Sequence, residues 1–213
     1  MPSRTFFNLP EEKRSRLMQA VRAELARVPF EEASINRIIR SAGISRGSFY
    51  QYFKNMQDVL DYLLSDYREM LAARALESLR QSGGDLFRLL PDIFDYMYET
   101  ASNQENGKLF LNLFSDVRIN SVFLEQRASD DPFGISKDEL RWHVNTGALD
   151  IRDEGDFEDM LGVLLPLTGE AFAQVFFNPT AYPERRVRYQ ARLELVKRGF
   201  LREKGGPCSD ISP

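Results

Sequence analysis

Apolar residues recur along most of the chain at three- and four-residue spacing, which places them on one face of a helix. No segment alternates apolar and polar residues in the way that a half-buried strand does. Asn8, with Glu11 three residues later, is expected to cap the first helix. Another helix opens at Asp85, and Pro91 must kink or restart it. The remaining helices are predicted over residues 10–28, 34–53 (two short helices), 55–79, 104–126, 136–146, 157–177 and 184–198.

The most informative segment is residues 34–53, SINRIIRSAGISRGSFYQYF, which has the pattern of two short helices joined by a tight turn. Ser34 and Ser45 stand where a hydroxyl can accept a hydrogen bond from an orphan amide of a first turn. Gly43 stands at the turn, where a residue without Cβ adopts a positive φ at little cost. This is the pattern of a helix-turn-helix, a motif that lays its second helix in the major groove of DNA.

The second helix of this motif carries side chains suited to DNA. Arg46 can bond to guanine or to a phosphate, and the sequence leaves both readings open. Tyr50 can pack on a thymine methyl group and Gln51 can read adenine, whereas Tyr52 and Lys54 suit the DNA backbone. The residues predicted to bind DNA are Ser34, Asn36, Arg37, Ser45, Arg46, Gly47, Ser48, Tyr50, Gln51, Tyr52 and Lys54.

Residues 9–64 resemble the amino-terminal DNA-binding domain of the TetR family of bacterial transcriptional regulators. The resemblance rests on the amphipathic first helix, on SINRII and on AGISRGSFYQYF. One position departs from it, because the family usually carries a lysine where this chain has Met56, and we expect Lys54 to contact phosphate instead. The resemblance implies an N-terminal three-helix DNA-binding domain at residues 1–54 and a helical ligand-binding and dimerisation domain at residues 55–203.

The second domain is rich in aromatic residues at helical spacing, which is also the ordinary pattern of a hydrophobic core. The resemblance implies a small-molecule cavity among them, with Tyr96, Asn112, Arg118 and His143 as candidate polar groups. The candidate ligand-binding residues are Phe94, Met97, Tyr98, Phe110, Phe114, Trp142, His143, Phe172 and Phe176.

The last two predicted helices resemble the dimer helices of the family. They carry more apolar surface than one small domain readily hides, and a two-fold dimer would present two heads to two half-sites of DNA. The residues predicted for the homodimer interface are Leu161, Leu164, Leu165, Leu167 and Val175.

Charge is unevenly distributed in this chain of 213 residues with a net charge of −4. Residues 1–60 hold ten Lys and Arg against six Asp and Glu, and the remainder holds eighteen against twenty-six. A basic head on an acidic body suits a head that meets phosphates.

Composition argues against several other classes of protein. One histidine and one cysteine give no spacing typical of a metal site, and no catalytic motif is recognisable, so we expect neither a cofactor nor an enzyme. The single Cys208 excludes a disulfide within the chain and fits a reducing cytoplasm. No uncharged apolar run approaches the length of a membrane span. Residues 204–213 have the composition of a disordered tail.

These observations favour a ligand-responsive, DNA-binding transcriptional regulator. Its favoured form is a repressor that a small apolar or amphipathic molecule releases from a palindromic operator in double-stranded DNA. The alternative is a helical protein–protein interaction module with neither an inducer nor a role on DNA.

Overall fold

The structure of the chain, a computed structural model, describes residues 2–103, 107–114 and 131–201. Within these ranges the chain is helical and contains no β-strand, which confirms the predicted all-α fold. Its α-helices are α1 (Arg4–Phe7), α2 (Glu11–Arg27), α3 (Ile35–Ala42), α4 (Arg46–Tyr52), α5 (Met56–Ser82), α6 (Leu86–Ser102), α7 (Gly107–Phe114), α8 (Lys137–His143), α9 (Asp156–Phe177) and α10 (Tyr182–Phe200). The rest of the helix predicted at 104–126, and the predicted tail, lie outside the described residues.

The head consists of α1 to α4 and the first turns of α5, which share one hydrophobic core. Phe49 of α4, Phe53 just after it and Leu63 of α5 are at most 2% exposed. Leu109 of α7 enters the same core although it belongs to the C-terminal half of the chain. The head therefore extends beyond residue 54 into α5 and touches α7 directly.

In the body, α6 packs against the second half of α5 and against α9 and α10, around a second core. Helix α5 belongs to both cores, with Leu60 and Leu63 in the head and Ala75 and Leu79 in the body. A single uninterrupted helix of 27 residues thus joins the two halves of the molecule.

Several helix ends follow the sequence signals. Gly43 and Gly83 end α3 and α5 with φ of +66° and +67°, the left-handed conformation that glycine adopts without steric cost. The side chains of Asn55 and Asp85 accept amides from the first turns of α5 and α6, as predicted.

Two predicted caps were wrong. Ser34 makes no side-chain cap for α3, and its backbone amide donates to the carboxylate of Glu24. Asn8 does not cap α2, because it closes α1 and Pro10 precedes α2. Pro91 does not restart a helix, since α6 continues through it with its apolar side anchored in the body core.

Helix α9 is long and apolar enough to cross a membrane by length and composition alone, with a mean hydropathy of 1.5 in its most apolar window. The apolar character has a use inside the chain, because eight of its residues are buried, among them Leu161, Leu164 and Val175. We therefore read α9 as a core helix.

Candidate nucleic-acid interface

Helix α4 has one buried and one exposed side. Phe49 is fully buried in the head core, whereas Arg46, Gly47 and Gln51 are exposed and Tyr50 is 45% exposed. The aromatic ring of Tyr50 thus lies open to solvent on the side of α4 opposite to its anchored face. The glycine lets another backbone approach the helix closely on that side.

The start of α4 is fixed by two serines. The hydroxyl of Ser45 accepts the amide of Ser48 at 3.0 Å and pairs with the Ser48 hydroxyl at 2.8 Å. Ser45 therefore caps the helix as predicted, because its hydroxyl satisfies one of the orphan amides of the first turn.

Arg46 links the two helices of the motif on their exposed side. Its Nη1 donates to Oδ1 of Asn36 on α3 at 3.0 Å, and its guanidinium lies 5.6 Å from the centre of the Tyr50 ring. Three residues predicted to bind DNA are thus brought together. An arginine has five N–H donors, and among the described residues one of them is bonded, to Asn36.

The start of α3 is held by a buried carboxylate. Glu24 of α2 is only 5% exposed, and it accepts the Ser34 amide at 3.0 Å and a bidentate pair of bonds from Arg27 at 2.8 and 3.0 Å. Arg37 approaches it at 3.4 Å with its side chain 60% exposed. Hydrogen bonds from Arg27, together with the Ser34 amide and the charge of Arg37, hold the pKa of Glu24 below its ordinary value, against the opposing effect of burial.

A groove of about 400 Å³ opens beside this carboxylate, between α2 and α3. Arg27, Arg37 and Arg40 line it. Three guanidinium groups around one buried carboxylate leave the groove with an excess of positive charge, and one of them, Arg37, is among the residues predicted to bind DNA.

The end of α4 carries the predicted backbone contacts. Lys54 is exposed, and its amide donates to the carboxylate of Asp58 at 3.0 Å. Tyr52 is half-buried and packs against the head core. Met56, which stands where the TetR family usually has lysine, is half-buried against the same core and so contributes packing in place of charge.

Sequence reasoning missed three features of this surface. Glu24 follows Leu17 and Val21 on the buried stripe of α2, so a charged residue at core spacing was the available signal. Arg40 gave no signal beyond its charge. Helix α1 was also missed, although two adjacent phenylalanines in a polar segment, Phe6 and Phe7, indicated an apolar contact.

The residues predicted to bind a ligand do not form one group. Phe94 is fully buried and packs on the rings of Tyr182 and Tyr189 at 5.9 and 4.8 Å, so it is a core residue. Tyr98 stacks on Tyr182 at 3.7 Å, and Met97 is half-buried against the same core. Phe172 and Phe176 form a second cluster with Tyr67, and Phe172 also packs against the body core.

The other ligand predictions divide three ways. Trp142 is 88% exposed and His143 is exposed, which excludes both from a cavity inside this chain; α8 turns them outward while Leu140 is buried. Tyr96 is half-buried against the body core, and Asn112 bonds to the head. The side chains of Phe110 and Phe114 and all of Arg118 lie outside the described residues.

The prediction of dimer residues was wrong for three of five. Leu161, Leu164 and Val175 are fully buried in the body core of a single chain, because they form the inner side of α9. Leu165 and Leu167 are half-buried. The apolar side chains left open on the last two helices are Val163, Phe177, Val187 and Leu195, between 49% and 71% exposed.

Two protein-family models match the chain. The model of bacterial regulatory proteins of the tetR family matches residues 17–63, and a tetracyclin repressor-like C-terminal domain matches residues 85–200. No curated protein matches the chain significantly.

Solved structures share the fold along almost the whole chain. SmeT, the repressor of the Stenotrophomonas maltophilia multidrug efflux pump SmeDEF, is 14% identical with a TM-score of 0.58, covering 98% of both chains. A complex of SmeT with triclosan is 13% identical in sequence with a TM-score of 0.61, and the match covers 95% of this chain and 98% of the SmeT chain. A TetR-family transcriptional regulator from Pectobacterium atrosepticum is 16% identical in sequence with a TM-score of 0.58, and the match covers 94% of this chain and 98% of the regulator.

Proposed function

Because the chain belongs to the tetR family of bacterial regulatory proteins, we propose that it is a homodimeric transcriptional repressor that a small molecule releases from its operator. The observation that carries the DNA-binding part is the exposed side of α4. Arg46, Gly47, Tyr50 and Gln51 lie open there, on a helix fixed from behind by Phe49.

On DNA, α4 enters the major groove with Arg46, Tyr50 and Gln51 toward base edges or the adjacent phosphates. Ser34, Asn36, Arg37, Tyr52 and Lys54 hold the backbone on either side, and Ser45 and Ser48 bring the first amides of α4 to a phosphate. Arg40 extends the positive surface beside Arg37. Contacts of this second kind supply affinity that depends on salt but carries little sequence information.

Two copies pair through the outer sides of α9 and α10. Val163, Phe177, Val187 and Leu195 are large apolar side chains open to water in one chain, and a second copy would cover them. A two-fold pair holds its heads about 34–36 Å apart, one helical turn of DNA, or at a multiple of that distance. The operator is then a palindrome.

The effector part of the proposal rests on the body. SmeT, which shares the fold, forms a complex with triclosan. Here Met97 and Tyr98 on α6 and Phe172 and Phe176 on α9 are the remaining predicted lining residues whose side chains are described. Helix α7 lies between this region and the head, so an effector that displaces α7 alters the head. Linkage requires operator DNA to weaken effector binding by the same factor. The expected compartment is the cytoplasm, where the DNA is.

In vitro selection from random duplexes, with the full-length protein as bait, tests the DNA-binding part. We expect enrichment of a palindrome that binds at least a thousandfold more tightly than random DNA, the lower end for specific regulators. Triclosan and a panel of lipophilic compounds are then titrated against the complex, and at least one compound should release it. Failure to enrich any sequence would favour a protein–protein interaction module. Enrichment without release by any compound would leave a DNA-binding protein and refute the effector.

A further inference from the structure

Helix α1 connects the end of the recognition helix α4 to the long helix α5. It contacts α4 directly, and Phe6 within it is fully buried. Residues 3–7, which we name the N-terminal brace, precede the segment matched by the family model at residues 17–63.

The brace supplies hydrogen-bond donors to the last backbone carbonyls of α4. The last carbonyls of any helix lack partners inside that helix and need other donors. Here the amide of Ser3 donates to the carbonyl of Tyr52 at 2.9 Å, and the hydroxyl of Ser3 donates to the carbonyl of Gln51 at 2.5 Å. One residue of the brace thus fixes the backbone at Gln51, whose side chain faces the proposed base edges.

The brace also fixes the side of α4 through aromatic packing. The Phe6 ring lies 4.9 Å from the ring of Phe53, just after α4, and 5.0 Å from the ring of Tyr62 on α5. Tyr52 is a third neighbour at 6.4 Å. Since α4 has only seven residues, it depends on such packing for its orientation.

We propose that the N-terminal brace positions the recognition helix, with Phe6 as the main positioning residue, and that it thereby sets the preference for operator over random DNA. The inference rests on the proposed DNA-binding function. It adds a determinant of sequence selectivity that lies outside the helix-turn-helix.

Selectivity is affected more than general affinity because the two depend on different properties. Hydrogen bonds to base edges require an accurately placed backbone, whereas contacts to phosphate depend mainly on charge. Ser3 and Phe6 are uncharged, so their removal leaves the electrostatic attraction to DNA unchanged.

The test compares full-length variants on two probes, the duplex selected by the parent protein and a random duplex of equal length. Phe6→Ala should weaken binding to the selected duplex about tenfold to hundredfold, the range expected for one misplaced base contact. Binding to the random duplex and its salt dependence should match the parent. Phe6→Leu should restore most of the lost selectivity, because it keeps an apolar side chain packed against the rings of Phe53 and Tyr62. Ser3→Ala should cost about two- to tenfold on the selected duplex, as for one lost hydrogen bond.

Ser15→Ala is the matched control for Ser3→Ala, because Ser15 is an exposed, uncharged residue of the head that lies outside the brace. It should keep the parental selectivity. The proposed role of the brace would be refuted if Phe6→Ala and the parent bound the selected duplex with equal affinity. It would also be refuted if Phe6→Ala lost affinity for the selected and the random duplex to the same extent. If thermal unfolding shows that Phe6→Ala is unfolded, Ser3→Ala decides, and parental selectivity in that variant refutes the proposal. A parent that selects no sequence refutes the proposed function itself, and the inference with it.

Discussion

Asn112 on α7 donates a hydrogen bond from its side-chain amide to the backbone carbonyl of Leu25, 2.9 Å away in the last turn of α2. That carbonyl is one of the four at the end of α2 that have no partner inside the helix. Together with Leu109, which lies in the head core, this bond attaches α7 to the head in addition to the connection through α5.

Asn112→Ala should therefore loosen the head more than the body. Losing the bond to Leu25 should lower the free energy of unfolding by about 0.5–1.5 kcal/mol, and amides in the last turn of α2 should exchange faster with solvent. Hydrogen exchange read by mass spectrometry measures both. Asn178→Ala, in the exposed loop before α10, should leave exchange in α2 unchanged. Equal protection of α2 in parent and Asn112 variant would contradict a role for this bond.

Glu24→Gln should destabilise the head in a way that depends on pH. The pKa of Glu24 in the folded chain lies below the ordinary value of 4.5, so its charge stabilises the fold above that value. The contribution is lost as pH falls through the folded pKa. At neutral pH we expect a loss of about 1–3 kcal/mol, toward the lower end because Arg27 and Arg37 are partly exposed and can be hydrated.

Denaturant unfolding at several pH values measures this effect. The difference in the free energy of unfolding between parent and Glu24→Gln should be greatest near neutral pH and should become smaller below pH 4.5. Glu32→Gln, an exposed acid near the same helices, provides the control and should change stability by less than about 0.5 kcal/mol. A gap of constant size across the acid range would mean that the charge of Glu24 is not what stabilises α3.

Lys54→Ala and Gln51→Ala should weaken DNA binding in different ways. Removing Lys54 should weaken binding to all duplexes alike and lower the salt slope by roughly one unit, because one phosphate contact is lost. Removing Gln51 or Arg46 should cost about 1–3 kcal/mol on the selected duplex and relax the preference at one base pair. Fluorescence anisotropy at several salt concentrations distinguishes the two patterns. A parental salt slope in Lys54→Ala would argue against phosphate anchoring by this residue.

Val187→Glu and Leu195→Glu should convert the dimer to a folded monomer. Both side chains are more than 60% exposed in one chain, so the charge disrupts only the proposed contact with a second copy. Light scattering should give about twice the chain mass of 24.6 kDa for the parent and that mass for the variants. Trp142→Glu is the control, because it changes an exposed apolar residue on α8 and should remain dimeric. A monomeric parent would contradict the assembly.

The sequence predicted most of the described helices and the helix-turn-helix, because both depend largely on local rules. Gly43, Ser45 and Asn55 act through neighbours within a few residues, and the structure places each as expected. The residues of α9 that face the core and those that face outward could not be distinguished in the sequence. That helix is apolar on most of its surface, so the periodicity of apolar residues does not show which side meets the core. Leu161 and Leu164 accordingly lie in the core.

Contacts between segments that are distant in the sequence could not be predicted from local patterns. The carboxylate of Glu24 meets Ser34 and Arg37 only after α2 and α3 have packed together. Phe6 meets Tyr62 across 56 residues of chain, and no local pattern encodes such a pairing. The ligand prediction for Trp142 failed because a short helix exposes one side whatever its residues, and α8 buries Leu140 instead.

The length of α5 sets how accurately the body can aim the head. A helix of 27 residues spans about 40 Å, so tilting it by about 5° at the body end moves the other end by about 3.5 Å. That displacement equals the rise of one base pair along DNA, about 3.4 Å. A rotation of α5 by about 5° at the body would thus displace its head by about the distance between successive base pairs.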